Sequence, residues 1–115
     1  LGLVPELVER GQGKVITIGA KAALKGGAKT GAYSASTAAL LRLTESMAAE
    51  LAGVGVQVNC VLPGTIDTPN NRAEMPNADF SKWVSPAKIA ETILFLASPE
   101  SDAITGAAIP VYGQP

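Results

Sequence analysis

Hydrophobic and polar positions change period several times along the chain, and the changes mark out its elements. Lys14-Val15-Ile16-Thr17-Ile18-Gly19-Ala20 is apolar, β-branched and preceded by Gly11-Gln12-Gly13, which predicts a buried strand over 14–19 after a turn. Val56-Gln57-Val58-Asn59-Cys60-Val61-Leu62-Pro63-Gly64 predicts a second strand that ends at Pro-Gly. Between them, Ala32 to Ala52 follows a helical period. Ala38, Leu41, Glu45, Ala48 and Ala52 form one stripe, and Leu40, Leu43, Met47 and Leu51 form another, before Gly53-Val54-Gly55 stops the helix. Two stripes imply two packing partners. Strand, helix and strand at this spacing make a parallel βαβ unit with a right-handed connection.

The remainder is shorter and more interrupted. Leu3, Val4, Leu7 and Val8 make Leu1 to Arg10 read as the closing turns of a helix. Ser85 as N-cap and Pro86 at the first helical position open another helix, with Ile89, Ile93, Leu94, Leu96 and Ala97 on its core face and Ser98-Pro99 at its end. The polar stretch 70–84, with Met75, Phe80 and Trp83 embedded, suits an ordered loop or a short helix over a cleft. A last strand is expected near 107–112. The fold class that follows is α/β, with near-continuous apolar strands in a parallel sheet covered on both faces.

Composition narrows the function classes. The chain has 115 residues, one domain by size, and a net charge of −1, which offers no basic footprint for nucleic acid. It contains no apolar run of the ~18 residues that a membrane span needs, and no charged segment leading into an apolar core at the amino terminus; a cytoplasmic location is the expectation. Cys60 is the single cysteine and histidine is absent, so neither a Cys/His dyad nor a histidine-based metal site can form, and the metal expectation is none. Lys25-Gly26-Gly27-Ala28-Lys29-Thr30-Gly31 superficially suggests a phosphate loop. Ala28 and Ala23 occupy the positions where that motif needs glycine, and the stretch reads as a flexible crossover.

The chemistry-bearing motif is Tyr33-Ser34-Ala35-Ser36-Thr37 at the start of the long helix. It resembles the YxxxK signature of the short-chain dehydrogenase/reductase superfamily, with threonine where the lysine stands. Residues i and i+4 share a helix face, so the signature sets a cation one turn from a phenol. A free tyrosine titrates near pH ~10, and a neighbouring cation is the usual means of bringing a phenol towards the working pH. Pro63-Gly64-Thr65-Ile66-Asp67-Thr68-Pro69 resembles the family's loop beside the nicotinamide. Within the family, Gly19-Ala20-Lys21-Ala22-Ala23-Leu24 and the long stretch from Thr65 to Trp83 are most similar to dihydropteridine reductases, while Ile104 to Gly113 looks like general bacterial members.

The resemblance implies the last three strands of a Rossmann-like, doubly wound sheet, that is, residues 1–115 as the C-terminal half of the domain without its nucleotide-binding first half. It implies Tyr33 at the catalytic phenol position, Thr37 at the lysine position, and Ala20, thirteen residues before Tyr33, at the position of the family's serine. Pterin reductases lack that serine as well, since a ring imine takes up a hydride and a proton without carbonyl polarisation. Pro63, Gly64, the Ile66 backbone and the Thr68 side chain are the implied cofactor contacts. NAD or NADP is implied for a full-length parent, and no cofactor is expected on the isolated chain, because pyrophosphate binding needs a glycine-rich helix N-terminus. Lys21 is the nearest alternative cation to Tyr33 in sequence, with a solvated loop lysine as the plainer reading. Self-association through the Ala32–Ala52 helix is expected, with a small-molecule substrate in the parent and neither nucleic acid nor membrane as partner. A noncatalytic oligomerisation module derived from such an enzyme is the alternative.

Overall fold

The computed structural model describes residues 2–114. Its elements run α1 (Val4–Arg10), β1 (Gly13–Ile18), α2 (Gly31–Leu51), β2 (Val56–Pro63), α3 (Pro69–Glu74), α4 (Pro86–Ala97) and β3 (Ala108–Val111). Short 3-10 turns at Lys21–Ala23, Ala52–Val54, Phe80–Lys82 and Pro99–Ser101 join them. The strands form one sheet in the order β1-β2-β3, parallel throughout, as the spacing predicts. The register runs from Gly13 opposite Val56 to Ile18 opposite Val61, then from Cys60 opposite Ala108 to Pro63 opposite Val111. Pro110 carries no N–H to donate, which an edge strand such as β3 tolerates.

β2 is the central strand and the core lies around it. Val58, Cys60, Val61 and Leu62 are fully buried, and Val56 nearly so. Leu41 of α2 packs with Cys60 and Leu62, and Ala48 packs with Val56 and Val58, joined by Leu7, Val15, Met47 and Leu51. Burying each such Val or Leu contributes about 1.5–3 kcal/mol, so this seam fixes how α2 crosses the sheet. On the other side of the pleat, Lys14 forms an ion pair with Asp102 at 2.6 Å, and α4 packs against β1 and β2. Cys60 is buried and free, a small core hydrophobe.

The buried stripe of α2 differs from the expected one. Its buried positions are Ser34, Leu41, Thr44 and Ala48. Glu45 turns aside to pair with Arg42, Ala38 is half-buried, and Ala52 lies exposed in the turn after the helix. A threonine can occupy the core face because its hydroxyl is satisfied twice: it donates to the Leu40 carbonyl at 2.8 Å and meets Thr17 Oγ1 of β1 at 2.8 Å. Of the second stripe, Leu40, Met47 and Leu51 are half-buried while Leu43 is 49% exposed.

Two further elements show how local chemistry sets the boundaries. Gly55 takes φ +78°, and a Cβ there would lie 2.1 Å from the Gly11 carbonyl oxygen, so the turn into β2 packs directly on the turn into β1. Ser85 caps α4 as its sequence predicts, its Oγ accepting from Lys88 N at 3.3 Å with Pro86 beside it. The 70–84 stretch resolves into α3 and the Phe80–Lys82 turn. The 25–31 crossover is exposed and turns at Gly27–Thr30.

Candidate functional site

The carboxyl ends of parallel strands are where α/β folds bind ligands, because loops leaving the sheet there part to leave a crevice. In this chain a cleft of about 420 Å3 opens at that edge, bordered by Ile18, Gly19, Ala20 and Lys21 after β1, by Tyr33 of α2, and by Pro63 to Ile66 after β2. Asn71 of α3 and Met75, just past its end, close the far side.

Tyr33 stands in the first turn of α2 and is 55% exposed, so its phenol is open to a ligand. Thr37 follows one turn later but does not border the cleft. Its hydroxyl donates to the Tyr33 carbonyl at 3.0 Å and the Ser34 carbonyl at 3.1 Å, the back-bonding common for threonine inside a helix. Ala20 is extended, at φ −152° and ψ 161°, and brings no donor to the cleft. Gly19 before it donates to the Val61 carbonyl at 2.8 Å, and a Cβ there would press to 2.8 Å from Leu62 Cδ2, which holds the loop tight on β2.

The opposite wall is built from main-chain pairing. Gly64 donates to the Val111 carbonyl at 2.9 Å, Val84 donates to the Thr65 carbonyl at 2.9 Å, and Asp67 donates to the Val84 carbonyl at 2.8 Å. Asn71 Nδ2 donates to the Ile66 carbonyl at 2.8 Å, fixing that peptide against the cleft. Thr68 lies outside the lining: its Oγ1 accepts from Asn71 N at 3.1 Å as the N-cap of α3, with Pro69 at the start of the helix. Arg72 makes two bonds to Asp67, at 2.6 and 2.9 Å, and its guanidinium lies 4.5 Å from the centroid of the Phe80 ring, which in turn lies 4.8 Å from that of Trp83. The Arg72 hydrogen bonds, then its charge, hold the Asp67 carboxyl below its ordinary value against the opposing effect of burial.

Of the residues singled out in the sequence, Ala20, Lys21, Tyr33, Pro63, Gly64 and Ile66 meet at this one cleft, while Thr37 is bonded within its own helix and Thr68 caps α3 beside it. Asn71 and Met75 were not legible as site residues. Thr68-Pro69 carries the same capping signal as Ser85-Pro86, and that signal alone starts a helix at 69 with Asn71 on it and Met75 just past its end.

A parallel α/β sheet whose carboxyl-edge loops frame a helix-borne phenol is part of a Rossmann-like fold. The chain belongs to the short-chain dehydrogenase/reductase superfamily, residues 3–113 matching the family described as enoyl-(acyl carrier protein) reductase. It is 38% identical over 117 residues to 2-dehydro-3-deoxy-D-gluconate 5-dehydrogenase of Bacillus subtilis, a match covering 93% of this chain and 46% of that one. It is 32% identical to the 3-oxoacyl-[acyl-carrier-protein] reductase FabG of Thermotoga maritima, covering 96% and 48%. Among solved structures, a gluconate 5-dehydrogenase from Burkholderia cenocepacia in complex with NADP and tartrate superposes with a TM-score of 0.85 at 30% identity, covering 96% of this chain and 47% of that one. The chain spans about half the length of the curated relatives it matches. Among the described residues, no helix is long and apolar enough to cross a membrane, and no cluster of metal-binding side chains occurs.

Proposed function

We propose that this chain is the C-terminal, substrate-side half of an NAD(P)-dependent oxidoreductase acting on a small molecule. The observation that carries the reading is the gathering of Tyr33, Ala20, Pro63, Gly64 and Ile66 around one cleft at the carboxyl edge of the sheet. A nicotinamide cofactor supplies or accepts the hydride in such chemistry. The Pro63 to Ile66 wall, where Asn71 fixes the Ile66 peptide, fits the nicotinamide end of such a group. Tyr33 is the proton donor, exposed to the cleft and without a cation at position 37. A preorganised charge at a reacting group commonly contributes a few kcal/mol to the rate, so the Thr37 form is a slow catalyst at best.

At the level of substrate, the dihydropteridine-reductase-like branch is supported by Ala20: a cleft with no donor at this position suits a ring imine, which needs no carbonyl polarisation. The exposed Leu43 on α2 supports association of two copies through that helix. Thr37, bonded into its own helix, favours the second reading, a noncatalytic association module.

The deciding experiment compares Thr37, Thr37→Lys and Tyr33→Phe forms in the longer protein that the reading requires. Reduction of a quinonoid pterin and of a carbonyl substrate should rise by about tenfold or more with lysine, on the scale of a restored electrostatic contact, and fall with phenylalanine. Equal rates in all three would remove Tyr33 as the donor and leave the association module.

A further inference from the structure

We propose that Lys21 is the substrate-anchoring residue of the cleft and that the cleft takes a substrate bearing a carboxylate. This rests on the cleft being the substrate site, and it goes beyond that reading by naming the charge of what enters. Ala20 alone suits an uncharged ring imine; the cation beside it favours an acid, and gluconate binding through Lys21 would set the ring-imine substrate aside.

Three observations converge on it. Among the described residues, Lys21 is the one cationic side chain lining the cleft, and no Asp or Glu lines it. Asp67, an acid of the adjoining wall, is held by Arg72 through Nε and Nη2 and is neutralised there. Lys21, by contrast, has no carboxylate partner among the described residues; its Nζ lies 4.8 Å from the centroid of the Tyr112 ring. An ammonium over an aromatic face at an exposed site is held by only about 0.5–1 kcal/mol, so it is positioned but remains free to take an anion. In the rest of the lining Ile18, Ala20, Ala22, Pro63, Ile66 and Met75 are apolar and Tyr33, Thr65 and Asn71 are neutral, which leaves a small organic acid no other ionic partner. A charged donor to a carboxylate forms a stronger hydrogen bond than a neutral one, so this single residue sets the preference for an acid over its neutral analogue.

The chain holds two tyrosines, Tyr33 on the cleft wall and Tyr112 under the lysine, and their ring proton signals report the site without any turnover. The titrants are gluconate and sorbitol, which share a carbon chain and differ by one carboxylate. Gluconate should shift both tyrosines saturably and sorbitol should not. Lys21→Gln should weaken gluconate by about tenfold or more, which is about 1.4 kcal/mol; Lys21→Arg should retain it, and Lys25→Gln, outside the lining, should leave it unchanged. Equal shifts with both ligands, no saturable shift with gluconate, or gluconate binding that survives Lys21→Gln would each overturn the proposal. The dispersed spectrum of each variant confirms that it folds. A carboxylate that binds through Lys21 while the longer protein transfers no hydride would sink the oxidoreductase reading and leave this one standing.

Discussion

β2 and the wall that follows it are continuous in sequence and held by different means. The strand is fixed by apolar burial on both faces, and its buried polar side chain is closed off: Asn59, 1% exposed, donates through Nδ2 to the Ile104 carbonyl and accepts at Oδ1 from Ala107 N, both at 3.0 Å. The wall from Gly64 to Val84 has little core of its own. It stands on main-chain bonds to Val84 and Val111, the Thr68 cap, and the chain of contacts from Asp67 through Arg72 and Phe80 to Trp83. The difference teaches where this chain can change without unfolding: stability resides in the strand, and little of it in a wall whose side chains, Val84 apart, are half-buried or exposed.

Substitutions in β2 should therefore cost far more stability than one on an exposed face. Leu62→Ala, at a fully buried position packed against Leu41, should cost about 2–5 kcal/mol in chemical denaturation; a loss below 1 kcal/mol would place the core elsewhere. Asn59→Ala should cost about 1–3 kcal/mol, because the Ala107 N–H and Ile104 carbonyl lose their partner, and amide exchange should quicken at Ala107 ahead of β3. Leu43→Glu, on the exposed side of α2, should stay within about 0.5 kcal/mol of the parent in stability. In sedimentation the parent should associate with rising concentration and the variant should remain monomeric. A monomeric parent would end the association proposal.

Much of this architecture is written in local pattern. β1, β2 and α2 fall within a residue or so of their expected limits, because β-branched runs and an alanine-rich helix bounded by glycines are signals that need no tertiary partner. α4 begins at its Ser-Pro cap for the same reason. What the pattern could not supply is tertiary pairing. Thr44 looks like a surface residue until Thr17 is set against it across α2 and β1, and Asn59 looks out of place until the segment from Ile104 to Ala107 folds back to meet it. The cleft divides in the same way: Tyr33, Ala20 and the Pro63-Gly64 turn are legible through the motif, whereas Asn71 and Met75 enter through the course of the chain after Thr68. Lys21 stood out as a cation, and its seat over Tyr112 is a contact between residues far apart in sequence.

The contacts from Asp67 to Trp83 bear on affinity in a way that has nothing to do with touching a ligand. A loop that must order around its substrate loses about 0.5–1.5 kcal/mol for each long side chain it immobilises. In this wall Arg72 is already clamped between a carboxylate and an aromatic ring, and Asn71 is already committed to the Ile66 peptide. The entropy of ordering them is spent during folding, so a ligand meeting this face gains its contacts with little of that loss. Loosening the clamp, by Arg72→Ala for instance, would weaken binding chiefly through entropy while leaving every lining residue in place.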